Sequence, residues 1–492
     1  MEKKKVRTRY APSPTGFMHI GNLRTALYEF LIAKGSSDGK FILRIEDTDQ
    51  NRKVEDSIAI IYKTLQQVGI HHDEGPDIGG EFGPYIQSQR LDSYLPLAEQ
   101  LIKEGQAYYC FCSKERLQSL HEKLENGNLV GRYDGKCRNL SQEEINHNLK
   151  MGIPYVIRQK MPTVGISEFC DSVYGPITVA NDELEDQILI KTDKFPTYNF
   201  ANVVDDHQMQ ITHVVRGCEY LSSTPKYNLL YEVYGWEKPQ YIHLPLIMGK
   251  NPDGSISKLS KRHGATSFQD LIEQGFLPEA IINYIALLGW CPKDTREIFS
   301  LSELITHFSV DCISKSPAIF DYDKLTWFNA EYLKAKSDEE FLALCMPHFK
   351  QIFGDKDIDK PTLIAILKPR VTKLTQMKDL LDFLVNLKEY DISLFENKKS
   401  KSTLETSLKM LKNTLNELEL LTNWSLQEIK CCLTSLAEKL GVKNGTLLWP
   451  IRIAISGQSV TAGGAIEILT ILGQNESLKR IKLGLEKLQK HQ

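Results

Sequence analysis

No apolar run in the 492 residues approaches the roughly 20 residues that a membrane-spanning helix needs, so a membrane protein is not expected. The lysine-rich residues 1–5 have no apolar stretch behind them, and no secretory signal is evident. The ten cysteines are scattered, apart from the close pairs Cys110 with Cys112 and Cys431 with Cys432. This pattern does not resemble a disulfide framework and predicts a protein of the reducing cytoplasm.

The sequence also lacks an excess of charge of either sign, with 60 basic against 63 acidic residues and a net charge of -3. Bulk charge therefore does not indicate nucleic-acid binding. It does not exclude it, because phosphate contacts need only a local basic patch. Apolar residues at 41% and charged residues at 25% are typical of a soluble protein. The length predicts about three to five domains, and no internal repeat is evident.

The first fifty residues carry a strand, helix and strand pattern. Residues 6–12 predict a strand that breaks at the Pro- and Gly-containing turn 12–16. Apolar residues at helical spacing predict a helix over residues 21–34. Residues 40–49 predict a buried strand that ends in carboxylates. This order indicates a βαβ unit and hence a parallel sheet.

The rest of the chain changes character twice. Residues 107–190 interrupt the α/β pattern, which resumes with 187–191 and 202–204, so 107–190 is interpreted as an insertion. Beyond about residue 326 the pattern is mostly helical. Its clearest signs are a leucine stripe, a capping box and a terminal glycine, at Leu404, Leu408, Leu411, Leu415, Leu418, Ser425, Glu428 and Gly441. Cys431 and Cys432 fall inside one of these predicted helices and are interpreted as packing residues.

The first motif with chemical content is residues 12–22, Pro-Ser-Pro-Thr-Gly-Phe-Met-His-Ile-Gly-Asn. It lies where a parallel strand ends and a helix begins, the place where open α/β sheets bind ligands. The helix N-terminus favours phosphate. Gly21 would allow a base or ribose to approach the backbone, and His19 could donate a hydrogen bond to phosphate oxygens. The alternative is a capped turn with an incidental histidine.

The second motif is residues 257–264, Ser-Lys-Leu-Ser-Lys-Arg-His-Gly. It follows the glycine-containing stretch 249–254 and is predicted to be a mobile, exposed loop. Lys258 and Lys261 could hold the charge that develops on a transferring phosphoryl group. The alternative is a solvated basic loop.

Together the two motifs resemble the two signatures of class I aminoacyl-tRNA synthetases. Both depart from the generic signature in their last residue, Asn22 and Arg262, and both have the form usual in the glutamate branch of bacterial type. Further runs resemble that branch, and the resemblance covers nearly the whole chain. They are residues 9–16, 43–49, 196–207 and 216–220.

The resemblance implies an α/β fold with a class I Rossmann-like catalytic core. Residues 1–106 and 191–245 would form the two halves of this core. Residues 107–190 would be an α+β insertion that binds the tRNA acceptor end, and 246–325 a stem-contact domain with the lysine loop. Residues 326–492 would be an all-α anticodon-binding region of two helical subdomains.

The implied reaction is activation of L-glutamate with ATP and Mg²⁺ and transfer to the 3′ end of the glutamate tRNA. Charging of the glutamine tRNA stays open. Family habit further implies a monomer that activates glutamate only when tRNA is present. The implied catalytic residues are His19, Lys258 and Lys261; the ATP-binding residues are Gly16, His19, Gly21, Tyr220, Lys258, Ser260 and Lys261; the glutamate-binding residues are Arg9, Ser13, Glu46, Tyr198, Asn202 and Arg216.

The resemblance also implies a structural zinc site in the insertion. Relatives often use Cys-x-Cys and a later Cys-x-His, but here Asn139 stands in place of the histidine. A closed zinc site takes four ligands, and Tyr133 matches a position that relatives can use as a ligand. The set that the resemblance implies is Cys110, Cys112, Tyr133 and Cys137. The alternative is a decayed site with three free cysteines.

Four other functions compete with this interpretation. A glutaminyl enzyme would carry β-barrel anticodon domains, whereas this C-terminal half is predicted to be helical. A truncated relative that modifies tRNA is disfavoured by the length and the intact lysine loop. A non-catalytic RNA-binding paralogue is disfavoured by the presence of His19, Lys258 and Lys261. A small-molecule nucleotidyltransferase would not need the helical half.

Overall fold

The computed structural model describes residues 5–49, 56–122, 133–264 and 266–491, although for residues 121, 122 and 261 it describes the backbone alone. The chain divides into two compact units. One contains Met1–Leu271 and Ile281–Asp321, and the other contains Ile272–Ala280 and Tyr322–Gln492. Among the described helices, none is both long and apolar enough to cross a membrane.

The first unit is a mixed α/β structure. Its strands are β1 Arg7–Tyr10, β2 Lys40–Leu43, β3 Ala107–Cys110, β4 Val156–Gln159, β5 Ile166–Asp171, β6 Gly175–Ala180, β7 Ile188–Ile190, β8 His213–Gly217, β9 Gln240–Leu244, β10 Ile247–Lys250, β11 Ile256–Lys258 and β12 Ala318–Phe320. Its helices are α1 Ile20–Lys34, α2 Ser57–Gln67, α3 Leu91–Lys103, α4 Lys114–Glu122, α5 Gln142–Lys150, α6 Tyr198–Gln208, α7 Thr224–Val233 and α10 Leu301–His307; the chain changes unit within α8 Phe268–Glu273 and α9 Pro278–Ala286.

The predicted βαβ unit is confirmed. Strands β1 and β2 are parallel, with Arg7 opposite Lys40 and Tyr10 opposite Leu43, and α1 joins them. Both strands are shorter than predicted. The reason at β1 is Pro12, which has no N–H with which to continue the ladder.

Two further sheets organise the middle of the chain. Strands β8 and β9 are parallel, and the β5–β6 hairpin joins them where Asp171 pairs with Tyr241. Strands β3, β4 and β7 form a separate antiparallel sheet. The predicted return of the α/β pattern at 187–191 and 202–204 therefore differs from the structure. Strand β7 belongs to the sheet of the insertion, and residues 202–204 lie in α6, because short apolar runs do not specify their partner strand.

The lysine segment is more regular than predicted. Strand β10 pairs antiparallel with β11, with Gly249 opposite Ser257, so residues 247–258 form a hairpin rather than an irregular loop. Its turn is closed by the Asn251 N–H, which donates to the Ser255 carbonyl at 2.8 Å. Lys258 is the last residue of β11 and therefore has a defined position.

The second unit is helical in its described part. Its helices, after α9, are α11 Tyr322–Ala335, α12 Asp338–Phe353, α13 Lys360–Leu367, α14 Met377–Val385, α15 Leu404–Glu419, α16 Leu426–Lys439, α17 Asn444–Ser456 and α18 Ala465–Gln489, the last broken at Gly473. The leucine stripe lies on α15. Gly441 adopts a positive φ of 63° just beyond the end of α16, as predicted. Of the predicted capping box, the structure shows one half, in which Ser425 accepts the Glu428 N–H. Cys432 packs against the core, whereas Cys431 is exposed.

Candidate active site

A cavity of about 490 Å³ opens at the carboxyl ends of the parallel strands in the first unit. Residues just after β1 and β2 meet there with the ends of β8 and β9 and the first turns of α1. The chain therefore brings the carboxyl ends of two parallel strand pairs, β1 with β2 and β8 with β9, to one cavity. Open α/β sheets bind ligands at the same ends of their strands. The lining includes Arg9, Ser13, Thr15, His19, Gly21, Asn22, Arg24, Glu29, Glu46, Tyr198, Arg216, Glu219, Tyr220, Lys258 and Leu259.

Most of the predicted site residues line this cavity. They are Arg9, Ser13, His19, Gly21, Glu46, Tyr198, Arg216, Tyr220 and Lys258. Gly16 and Ser260 do not line it. Asn202 does not line it either, because it is buried and its amide donates to the Tyr198 carbonyl one helical turn back, at 2.6 Å. The side chain of Lys261 lies outside the described part of the chain.

His19 stands at the N-terminus of α1. Its Nδ1 accepts the Gly21 N–H at 3.1 Å, so in the neutral ring the proton is on Nε2. Burial, together with the nearby charge of Lys258, lowers the pKa of His19 below its usual value. The ring is therefore a neutral donor beside a helix N-terminus, an arrangement that suits phosphate oxygens.

Arg9 is held in a buried cluster of charges. Its Nε lies 2.9 Å from Asp206 Oδ1, and its Nη1 lies 3.2 Å from Glu29 Oε1. Arg44 also binds Asp206, at 2.7 Å, and reaches Glu46 Oε1 at 3.0 Å. Asp206 therefore already pairs with the charge of Arg9 inside the protein.

The carboxyl groups of this cluster differ in their electrostatics. Burial raises the pKa of Glu46 despite the nearby charges of Arg44 and Arg9. Burial also raises the pKa of Glu29 well above its usual value, and Glu29 Oε2 has no hydrogen-bond partner among the described residues. The pKa of Asp206 is lowered instead, since the attraction of two arginines outweighs its burial. Asp206 is thus the fixed anion of the cluster.

Arg216 has different surroundings although it is equally buried, with 5% of its surface exposed. Its Nε donates to His243 Nε2 at 3.1 Å, and its Nη2 donates to Thr224 Oγ1 at 2.7 Å. The rings of Tyr220, Tyr227 and Tyr241 lie 4.9 to 5.5 Å from its guanidinium carbon. Among the described residues, no carboxylate forms a salt bridge with it. Arg216 is therefore a buried cation at the cavity whose charge the protein leaves unpaired.

The cavity's outer side is formed by the lysine hairpin. Lys258 Nζ lies 3.8 Å from Glu219 Oε1, and both side chains are half exposed or more. The His263 ring packs against Gly249 of this hairpin. Its Nδ1 accepts the Ser260 N–H at 3.0 Å, which is a second polar contact of the segment. These contacts fix the backbone of the segment that contains the two motif lysines.

Sequence reasoning missed several residues of the site. Arg44 and Asp206 lie in runs that resemble the glutamate branch, so a signal existed for them, but no role was assigned. Glu219 lies in such a run as well, 216–220. Glu29 and Arg24 line the cavity without any sequence signal, because each is brought in by tertiary packing alone.

The three predicted cysteines of the insertion lie together. The sulfur atoms of Cys110, Cys112 and Cys137 are all within 4.8 Å of one another. Tyr133 Oη lies 3.3 Å from Cys110 Sγ and 3.6 Å from Cys112 Sγ, and it accepts the Cys137 N–H at 3.0 Å. Four side chains from two segments, 110–112 and 133–137, therefore converge, as a tetrahedral metal site requires.

Sequence comparison identifies two family profiles in this chain. Residues 5–327 match the profile described as tRNA synthetases class I (E and Q), catalytic domain, and residues 340–485 match an anticodon binding domain. Curated glutamate-tRNA ligases are similar over the full length. The enzyme of Clostridium tetani is 55% identical over 99% of both chains, and that of Clostridium acetobutylicum is 53% identical over 100% of both.

Two solved structures are also similar to this chain over nearly its full length. A glutamate tRNA ligase from Elizabethkingia meningosepticum, in complex with its amino acid, matches 99% of this chain and 100% of its own with a TM-score of 0.88 at 36% identity. The glutamate-tRNA synthetase from Elizabethkingia anophelis matches 98% and 100% with the same score and identity.

Proposed function

Because the chain belongs to the class I tRNA synthetases of the glutamate and glutamine group, we propose that its cavity joins ATP and L-glutamate and passes the product to tRNA. The overall reaction is that of a glutamate-tRNA ligase, and enzymes of this class use ATP with Mg²⁺. The helical second unit contains the anticodon binding domain.

The first chemical step forms glutamyl-adenylate. A carboxylate oxygen of glutamate attacks the α-phosphorus of ATP, the bond to the β-phosphate breaks, and pyrophosphate leaves. A ribose hydroxyl at the 3′ end of tRNA then attacks the activated carbonyl, and AMP leaves. Neither step needs a protein nucleophile, so positioning and charge stabilisation supply the catalysis.

We assign the phosphate-handling role to His19 and the two motif lysines. The His19 Nε2–H is directed by the bond between its Nδ1 and Gly21, and it donates to a phosphate oxygen of ATP. Lys258 and Lys261 stabilise the charge that accumulates as pyrophosphate departs. Gly21 leaves room above the helix N-terminus, where Tyr220 borders the same space and would contact the adenine.

The unpaired charge of Arg216 carries the proposal for the amino acid. A buried cation without a carboxylate is costly unless a ligand supplies one, and the guanidinium fork matches a carboxylate. We infer that the side-chain carboxylate of glutamate is this anion. Glu46, also at the cavity, would accept the α-amino group, whose positive charge would lower the raised pKa of Glu46.

This arrangement explains a preference for glutamate over glutamine. A neutral amide would leave the charge of Arg216 uncompensated in a buried site, and sites built for such pairing reject analogues that lack it. Arg9 supports the pocket differently, since Asp206 already forms a buried ion pair with it. Ser13 and Tyr198 complete the polar lining.

The test is aminoacylation with radiolabelled glutamate and, separately, glutamine, on purified glutamate tRNA and glutamine tRNA each alone. Glutamate transfer to the glutamate tRNA is the expected result. Transfer to both tRNAs would identify an enzyme that also serves the glutamine tRNA. Glutamine transfer would contradict the assignment of Arg216, and absence of any transfer would contradict the function.

We propose that Cys110, Cys112, Cys137 and Tyr133 hold a structural zinc ion. The convergence of three sulfurs and one phenol oxygen supports it, as does the positive charge of Arg116, whose Nη1 lies 3.4 Å from Cys112 Sγ. Bound zinc would join the segments 110–112 and 133–137 of the insertion, and it would take no part in the chemistry at the cavity. We also propose that the protein acts as a cytoplasmic monomer, and light scattering of the purified chain tests the monomer.

A further inference from the structure

Behind Arg216 lies a second layer of polar side chains that the signature motifs do not contain. Arg216 on β8 is directly opposite His243 on β9 in the parallel register. His243 Nδ1 lies 2.7 Å from Asp171 Oδ2, at the end of β5. Asp171 and His243 have none of their surface or almost none exposed, so both act inside the protein.

The directions of these hydrogen bonds follow from the donors. An arginine Nε–H can only donate, so His243 Nε2 must accept it. The His243 proton is then on Nδ1 and is donated to Asp171. Asp171 is fixed in turn by backbone groups. Its Oδ1 accepts the Val173 and Tyr174 backbone N–H groups, and its Oδ2 accepts the His243 backbone N–H as well as the ring N–H. A single tautomer of His243 satisfies every bond in the chain.

His243 is neutral in this arrangement. Burial lowers its pKa below the usual value, although the hydrogen bond with Asp171 acts in the opposite direction. The neutrality has a consequence for Arg216. A carboxylate at this position would pair with Arg216 as Asp206 pairs with Arg9. A neutral imidazole instead fixes the guanidinium and leaves its charge for a ligand.

We propose that His243, oriented by Asp171, is a positioning residue that sets the guanidinium of Arg216 for the side-chain carboxylate of glutamate. The proposal rests on the glutamate-binding role proposed above for Arg216. His243 and Thr224 engage Nε and Nη2, so rotation about the end of the side chain is fixed. Among the described residues Nη1 forms no hydrogen bond, so Nη1 and the second N–H of Nη2 are the part of the fork that remains for the substrate.

Two substitutions of His243 separate positioning from simple packing. In His243→Gln the side-chain oxygen reaches roughly to the place of Nε2 and can accept the Arg216 Nε–H. In His243→Asn the shorter amide reaches roughly to the place of Nδ1, so it can serve Asp171 but not Arg216. Asp171→Asn presents an amide N–H to His243 Nδ1, so Nδ1 must accept and the ring proton moves to Nε2. The His243 Nε2–H then faces the Arg216 Nε–H, and the hydrogen bond between them is lost.

The measurement is steady-state aminoacylation by the full-length protein with glutamate tRNA, giving KM for glutamate, KM for ATP and kcat, together with Tm. We expect His243→Asn and Asp171→Asn to raise KM for glutamate about tenfold or more, the size found when a partner that orients a ligand-binding group is lost. The KM for ATP should stay near that of the wild type. His243→Gln should keep KM for glutamate closer to the wild-type value than His243→Asn does.

The control is His213→Gln, on the same strand as Arg216. His213 is also partly buried and bonds Thr212 Oγ1, but it does not line the cavity. Its substitution should leave KM for glutamate unchanged. The positioning role would be overturned if folded His243→Asn and Asp171→Asn kept a normal KM for glutamate while Arg216→Ala raised it. It would also be overturned if His243→Gln were the more damaged of the pair. A normal KM in Arg216→Ala would instead reject the proposed role of Arg216.

Discussion

Arg216 and Arg9 are both buried arginines at the cavity, yet their surroundings predict opposite consequences for the same substitution. Arg216→Ala removes the cation that glutamate would pair with. Loss of one partner from a buried charged pair costs about 2–5 kcal/mol of binding, so kcat/KM for glutamate should fall by at least about thirtyfold. Steady-state aminoacylation measures it. Near-normal kinetics with glutamate would contradict the pocket assignment.

Arg9→Ala should instead damage folding. Within the described part of the chain, Asp206 would keep Arg44 alone as its basic partner, and Glu29 Oε1 would lose its hydrogen bond to Arg9. Removing one partner of a buried pair destabilises a protein by about 3–5 kcal/mol. Urea unfolding should therefore show a much lower midpoint for Arg9→Ala than for Arg216→Ala. Equal urea midpoints for the two variants would show that the contacts of Arg9 with Asp206 and Glu29 add no stability beyond that lost in Arg216→Ala.

The different fates of these two arginines could not be predicted from the sequence. The family resemblance placed Arg9, Glu46 and Arg216 correctly at one cavity, since each lies in a run that resembles the glutamate branch. It did not indicate that Arg9 forms an ion pair with Asp206 whereas Arg216 bonds the neutral His243. Those environments arise from strand pairing between distant segments. The prediction for Asn202 differed for a related reason, because its amide is used by a carbonyl of its own helix.

At the level of elements, the lysine hairpin depends on one small residue. A Cβ added at Gly249 would lie 2.6 Å from the His263 ring, which in turn bonds the Ser260 N–H beside the second lysine. Gly249→Ala should displace His263 and loosen the backbone between Lys258 and Lys261. Misplacing such groups by about 1 Å can cost up to about a hundredfold in rate. We expect a lower rate of ATP–pyrophosphate exchange with an unchanged KM for glutamate.

His263→Ala tests the same contact from the other side. If Gly249→Ala acts through His263, the double variant should be no slower than the more damaged single variant. Gly254→Ala is the control in the same hairpin, because nothing lies within 4 Å of its added Cβ although its φ of 84° is strained for alanine. A rate loss in Gly254→Ala as large as that in Gly249→Ala would contradict the proposed route.

The insertion gives the second prediction at this scale. We expect about one zinc ion per chain by elemental analysis, since a closed site needs four ligands and four converge. Cys137→Ser should lose the metal, and Tyr133→Phe should release it to a chelator more readily. Cys170→Ser is the control, because Cys170 is exposed and is not in the cluster. Zinc-free wild-type protein would favour the alternative of three free cysteines.

Some of the helices and strands could be predicted from the sequence, and others could not. The βαβ start and the helices around Leu411 and Ser425 follow from periodicity and capping, which are local. Strand β7 and the lysine hairpin were not predicted correctly, because the partner of a short strand is decided by the rest of the fold. The four ligand positions of the insertion were predicted from the resemblance, and their convergence appears only in the structure.

On the scale of the whole molecule, the net charge of -3 means that a polyanionic tRNA gains little from the protein's overall field. Binding must come from local phosphate contacts, which weaken steeply as salt rises. Binding energy from remote parts of a substrate can be used to organise the reacting centre. A tRNA that contacts the protein away from the cavity can therefore act on the step that forms glutamyl-adenylate, although that step does not consume it.

We accordingly expect glutamate-dependent ATP–pyrophosphate exchange to be slow without tRNA and to rise at least about tenfold with saturating glutamate tRNA, equivalent to about 1.4 kcal/mol of transition-state stabilisation. Raising the salt concentration at subsaturating tRNA should remove this stimulation, since the phosphate contacts are screened. The slow exchange without tRNA should change far less, because the ion pairs of Arg9 at the cavity are buried and screened weakly. An exchange rate that is the same with and without tRNA would show that the cavity is fully organised by the protein alone.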